Sequence, residues 1–112
     1  MLPADARVRT RAEFSRAFDD GRAAHGDRLS IRSVSEAGAA KLGFIVGKRV
    51  SAKATRRNRL KRQLRGLVRE RYGRLSSDTL SVVIAKPTAL GASYDELGEE
   101  FDRLARKLHL MT

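Results

Sequence analysis

The sequence predicts a small α/β fold, a two-layer sandwich with helices packed on a short sheet, in the order helix, strand, strand, helix, strand, helix. Three observations carry this expectation. Two capping boxes, Thr10 with Glu13 and Ser93 with Glu96, mark helix starts, because the hydroxyl and the carboxylate together satisfy backbone N–H groups that a first turn leaves free. A run rich in β-branched residues over 79–86 stops at Pro87, as a central strand should. Between these, residues 54–72 repeat apolar residues at helical spacing.

Taken in order, the first helix follows Thr10 and ends at Gly21, where a left-handed glycine is expected to stop it. Its Phe14 and Phe18 are four apart and share a face; such pairs ordinarily belong to a core. Residues 28–35 alternate apolar and polar and read as a half-buried strand, and 41–46 supply a second. The Glu36–Ala40 stretch between them suggests a hairpin. In the helix over 54–72, Leu60, Leu64, Leu67 and Val68 form one stripe, Gly66 weakens it by about 1 kcal/mol relative to Ala, and Gly73 closes it. After the strand over 79–86, Leu97, Phe101, Leu104, Ala105 and Leu108 give the last helix its apolar face. One domain over 1–112 is expected; whether 1–8 and 110–112 are ordered is left open by the sequence.

Composition narrows the function. The chain has 112 residues, 24 Lys+Arg against 13 Asp+Glu and a net charge of +11, and 41% of it is apolar, enough for one modest core. There is no Cys, which removes disulfides, thiolate nucleophiles and Cys-ligated zinc. His25 and His109 stand far apart with no motif around them, so no metal or cofactor bound by the protein alone is expected. No apolar run reaches the ~18 to 20 residues of a membrane span, and the start has no signal-peptide core; a cytoplasmic protein is expected. A folded chain this basic calls for a polyanion, most often nucleic acid.

The charge is concentrated. Twelve of the 24 basic residues lie between Lys48 and Arg74, with Glu70 as the only acid among them. Around the helix, Asn58, Arg62, Arg65 and Arg69 fall opposite the leucine stripe, and Arg59 and Lys61 lie on its flanks. A merely solvated face would interleave acids as i,i+4 partners. Arginine suits RNA because its planar fork pairs with phosphate oxygens and stacks on bases; the Asn58 amide can read a ribose hydroxyl or a base edge.

The segment Arg57-Asn58-Arg59-Leu60-Lys61-Arg62-Gln63-Leu64-Arg65 resembles the Arg-Asn-Arg signature of the bacterial ribonuclease P protein subunit. Similar flanks extend the resemblance over nearly the whole chain: Arg11 to Gly21 with its paired phenylalanines, Gly43 to Arg49, Val83 to Pro87, and Tyr94-Asp95-Glu96-Leu97. The resemblance implies a fold like the second domain of ribosomal protein S5, with an uncommon left-handed βαβ crossover. It implies a subunit of an endoribonuclease in which a catalytic RNA, with bound Mg2+, removes the 5′ leader of precursor tRNA. It further implies that the protein breaks no bond and supplies no catalytic residue.

Carried over by position, the catalytic RNA would meet Lys48, Arg49, Lys53, Arg56, Arg57, Asn58, Arg59, Lys61, Arg62, Arg65 and Arg69. The leader would lie in a cleft formed by Phe14, Phe18, Arg28, Ile31 and Arg32. Family members often carry aromatic residues on the first strand, where this chain has Leu29, Ile31 and Arg32, leaving Arg32 to offer a phosphate contact or a guanidinium stack. The resemblance also implies a monomer bound one to one with its RNA and no membrane contact. Two other classes compete. A ribosomal or ribosome-assembly protein would share the basic helix without the cleft. A protein nuclease would need convergent carboxylates or a His pair, whereas the acids sit mainly at helix starts or in the last helix, as Asp95, Glu96, Glu99, Glu100 and Asp102, where capping and the macrodipole account for them.

Overall fold

The computed structural model describes residues 7–8, 10–36 and 40–111. Its elements are α1 (Arg11–Asp20), β1 (Arg22–His25), β2 (Leu29–Ser35), β3 (Lys41–Ile45), α2 (Ala54–Arg71), β4 (Thr79–Ala85) and α3 (Tyr94–Lys107), with 3-10 turns at Tyr72–Arg74 and Pro87–Gly91. The strands form one sheet in the order β1-β2-β4-β3. β1 and β2 are antiparallel, as are β2 and β4; β3 and β4 run parallel and are joined through α2.

Strand alternation divides the core. Leu29 and Ile31 of β2, Val83 and Ala85 of β4 and Leu42 of β3 point to the face covered by α2 and α3, where they meet Leu60, Leu64, Leu67, Val68, Leu97, Phe101 and Leu104. On the other face, Leu80 and Val82 are buried with Ala17 of α1. The two-layer expectation therefore describes the sheet with α2 and α3, and the short α1 adds a partial third layer. Leu110 and Met111 are buried in the main core, and the Val8 N–H donates to the Leu42 carbonyl at 3.0 Å.

Both capping boxes form. At α1 the Glu13 N–H donates to Thr10 Oγ1 at 3.1 Å and the Thr10 N–H to Glu13 Oε1 at 3.1 Å; at α3, Ser93 and Glu96 do the same. Backbone and hydroxyl bonds to Ser93, then the Arg28 charge, hold the Glu96 carboxyl below its ordinary range. Gly21 stops α1 for a reason other than the one expected: its backbone is extended, at φ −81° and ψ 157°. A Cβ there would lie 2.2 Å from the Ala17 carbonyl oxygen and 2.9 Å from that of Ser33, so the glycine is needed where α1 turns tightly onto β2.

The expected hairpin between 28–35 and 41–46 does not form. β2 pairs instead with β1, a four-residue strand absent from the sequence reading, and on its other side with β4. β4 is buried along most of its length, and an interior strand requires a neighbour on each side; it separates β2 from β3. Residues 37–39, within the expected turn, lie outside the described residues.

The β1–β2 turn is fixed from below. Glu100 of α3, 3% exposed, accepts from the N–H groups of Arg28 (2.8 Å) and Leu29 (2.5 Å). A Cβ on Gly26 would stand 2.7 Å from that carboxylate. Arg71 crosses from α2 to α3, pairing with Asp102 at 2.5 Å and donating to the Leu67 carbonyl at 2.8 Å, over the bare Cα of Gly98.

Candidate nucleic-acid interface

α2 buries Leu60, Leu64, Leu67 and Val68 against the core, which forces its basic residues outward. Arg56, Asn58, Arg59, Arg62, Arg65 and Arg69 are exposed and Lys61 is half-buried. Five acids are engaged with other basic residues: Glu36 with Arg16, Glu13 with Lys41, Glu96 and Glu100 with Arg28, and Asp102 with Arg71. Among the described residues, no ion pair reaches Lys48, Arg49, Lys53, Arg56, Arg59, Lys61, Arg62, Arg65 or Arg69. Glu70, the lone acid of the helix, accepts a hydrogen bond from the Tyr94 hydroxyl. Burial first, then that bond and the Glu70 charge, push the Tyr94 phenol up to about 12. The outer face of α2 thus carries like charges that repel one another and that have no ion-pair partner among the described residues.

The entry to α2 is built to stay in place. Val50 N–H closes a turn onto the Gly47 carbonyl at 3.0 Å, and Ser51 Oγ accepts from the Lys53 N–H at 3.2 Å. Arg57 ties this loop down by donating to the carbonyls of Ser51 and Ala52, each at 3.0 Å. Its guanidinium therefore holds the loop that carries Lys48, Arg49 and Lys53.

Because α1 covers only part of its face of the sheet, the remainder is an open cleft of about 510 Å³. Phe18 and Arg32 form one wall, Ile45 and Ile84 the sheet floor, and Arg49 and Lys86 the far rim. Phe18 is 37% exposed. The Arg32 guanidinium sits 5.2 Å from the centre of its ring and donates to the Phe18 carbonyl at 3.0 Å, which holds both in position. Arg49 lines the cleft from the loop that starts α2, so the two basic surfaces are continuous.

Phe14 lies elsewhere. It is half-buried, and its ring approaches Gly43 so closely that a Cβ there would be 3.1 Å away. It borders a smaller groove with Lys61 and Arg65 on the β3 edge. Two more residues expected in the cleft are, like Phe14, not in it. Ile31 is 0% exposed and faces the main core, because odd-numbered positions of β2 point toward α2 and α3. Arg28 pairs at the start of α3 with Glu96 (3.0 Å) and Glu100 (3.5 Å).

Sequence reasoning missed His25, Ser30, Ile45, Ile84 and Lys86 as cleft residues. The first was missed with β1; its signal was the short run between Gly21 and the Gly26-Asp27 turn. His25 Nδ1 lies 3.0 Å from Ser30 Oγ. His109 is exposed in the turn after α3, with φ of 60°. Among the described residues, no three His, Asp or Glu converge on a metal-sized site.

The family model for ribonuclease P matches residues 2–109. Ribonuclease P protein components from Microcystis aeruginosa, 30% identical over 98% of this chain and 96% of that protein, and from Thermobifida fusca, 38% identical over 95% and 78%, are among the relatives. The Thermotoga maritima ribonuclease P protein superposes with a TM-score of 0.80 at 25% identity, covering 89% of this chain and 96% of that one. A Staphylococcus aureus ribonuclease P protein mutant shares the fold, with a TM-score of 0.86 at 17% identity over 96% of this chain and 91% of that one. With a family model spanning nearly its whole length, this chain belongs to the bacterial ribonuclease P protein components, the protein subunit of a ribonucleoprotein endoribonuclease that processes tRNA.

Proposed function

We propose that the outer face of α2, with Lys48, Arg49 and Lys53 at its entry, docks on the catalytic RNA as one protein to one RNA, and that the cleft beside Phe18 and Arg32 holds the 5′ leader of precursor tRNA in the cytoplasm. The observation that carries this reading is the row of exposed basic side chains on α2 for which the described residues provide no acid. Phosphates would relieve their repulsion, and each one neutralised releases a counterion. The cleft has what an unpaired strand needs: a ring and a guanidinium plane for bases, and Arg49 and Lys86 for phosphates. In this reading the RNA would hold the Mg2+, which would supply activation of the attacking water. The protein aligns the leader and offsets the phosphate repulsion that opposes metal binding.

The test is cleavage of precursor tRNA at low Mg2+ by a bacterial ribonuclease P RNA, with and without the protein, and by the protein alone. Cleavage restored only in the mixture is the expected result. Cleavage by protein alone, or no effect of the protein on the RNA, would contradict the reading.

A further inference from the structure

We infer that the groove between α2 and the Pro87–Gly91 turn is a pocket for one unpaired nucleotide of the bound RNA. The groove, about 340 Å³, lies on the flank of α2 away from Phe14 and is separate from the leader cleft. One wall is Arg56, Arg59 and Gln63, at successive turns of the helix; the other is Leu90, Gly91 and Ala92. Neither arginine is ion-paired, and the Gln63 amide has no hydrogen bond among the described residues.

Gly91 leaves the mouth of the groove open. It does not have a positive φ, and a Cβ placed on it would meet nothing within 4 Å. Gly21, Gly26 and Gly43 are required by the packing, whereas Gly91, like Gly47 and Gly73, has open space where a side chain would stand. A bare Cα at the mouth of a groove lets a flat ligand approach the backbone.

The chemistry fits a nucleotide better than an acidic peptide. A base is flat and partly apolar, matching Leu90, Ala92 and the guanidinium planes; its edge needs a group that both donates and accepts, which Gln63 provides; its phosphate needs the two arginines. The inference rests on the reading that α2 docks RNA and adds a discrete site to it.

Full-length protein is titrated with a bacterial ribonuclease P catalytic RNA at several salt concentrations, as wild type and as Gly91→Val, Gln63→Ala and Arg62→Ala. The first two change no charge, and circular dichroism and melting verify that each still folds. The pocket predicts that each weakens RNA binding about tenfold, the scale of one lost base contact, with the salt dependence unchanged. It also predicts one nucleotide protected from dimethyl sulfate or a 2′-hydroxyl acylating reagent by wild type and exposed with Gly91→Val. If both variants bind as wild type while Arg62→Ala binds weakly, the pocket is wrong and the docking face stands. If Arg62→Ala also binds as wild type, the docking reading falls and takes the pocket with it.

Discussion

Replacing Arg62 with alanine separates docking from folding more cleanly than any other change on α2. The side chain lies opposite Leu60, Leu64, Leu67 and Val68, is exposed, and has no ion pair among the described residues. Its removal takes away no ion pair or hydrogen bond among the described residues, relieves repulsion along the helix and inserts the strongest helix former, so stability should stay within about 0.5 kcal/mol of wild type. A charge-assisted bond to phosphate contributes about 1.5 to 3 kcal/mol. The affinity for the catalytic RNA should therefore fall about ten- to a hundredfold. The slope of log affinity against log salt should also become shallower by roughly one counterion. Filter binding across a salt series measures both, and urea unfolding provides the control. Unchanged affinity and slope in a folded variant would refute the assignment of this face. Loss of folding would refute the claim that Arg62 is free of structural duty.

Three further outcomes test the packing. Gly66→Ala should stabilise the protein by about 0.5 to 1 kcal/mol, seen as a higher Tm, because the helix gains a better former and the new Cβ meets the Tyr94 side chain at ordinary contact, Oη at 3.4 Å and Cε1 at 3.8 Å; a lower Tm would show that the contact is too tight. Glu100→Gln should cost about 2 kcal/mol in urea unfolding, since two backbone N–H groups lose a charged acceptor; an unchanged midpoint would mean the carboxylate is not what holds the β1–β2 turn. Tyr94, raised from 10.0 to about 12, favours the fold in its neutral form. That contribution is complete below pH 10 and is lost as pH rises toward about 12. Wild type should therefore lose more Tm than Tyr94→Phe between pH 9 and 11.5, and equal losses would contradict the burial and Glu70 contact that together raise the phenol.

How much of this was legible in the sequence depended on whether the cause was local. Capping boxes are local chemistry, and both formed where Thr10 and Ser93 placed them. The leucine stripe of α2 is local periodicity, and it placed the exposed arginines correctly on the helix. Strand partners are not local. Residues 28–35 and 41–46 had the right pattern for a hairpin, but the apolar β4, far downstream, inserts between them. β1 is too short to show a period, and with it went His25 and the location of the open cleft. Ile31 was misplaced for the same reason: alternation shows that two faces exist, and only the packing of α2 and α3 shows which one is core. The role of Gly21 likewise depends on a close approach to Ser33 that local reading cannot see.

The central claim is that α2 meets the catalytic RNA while the cleft meets the leader. Photo-crosslinking in the assembled complex tests it most directly, with the crosslinker at position 62 or at position 18 and precursor tRNA labelled at its 5′ end. Position 62 should capture the catalytic RNA, and position 18 should capture the leader. Capture of only the mature tRNA body from position 18, or of no catalytic RNA from position 62, would contradict it.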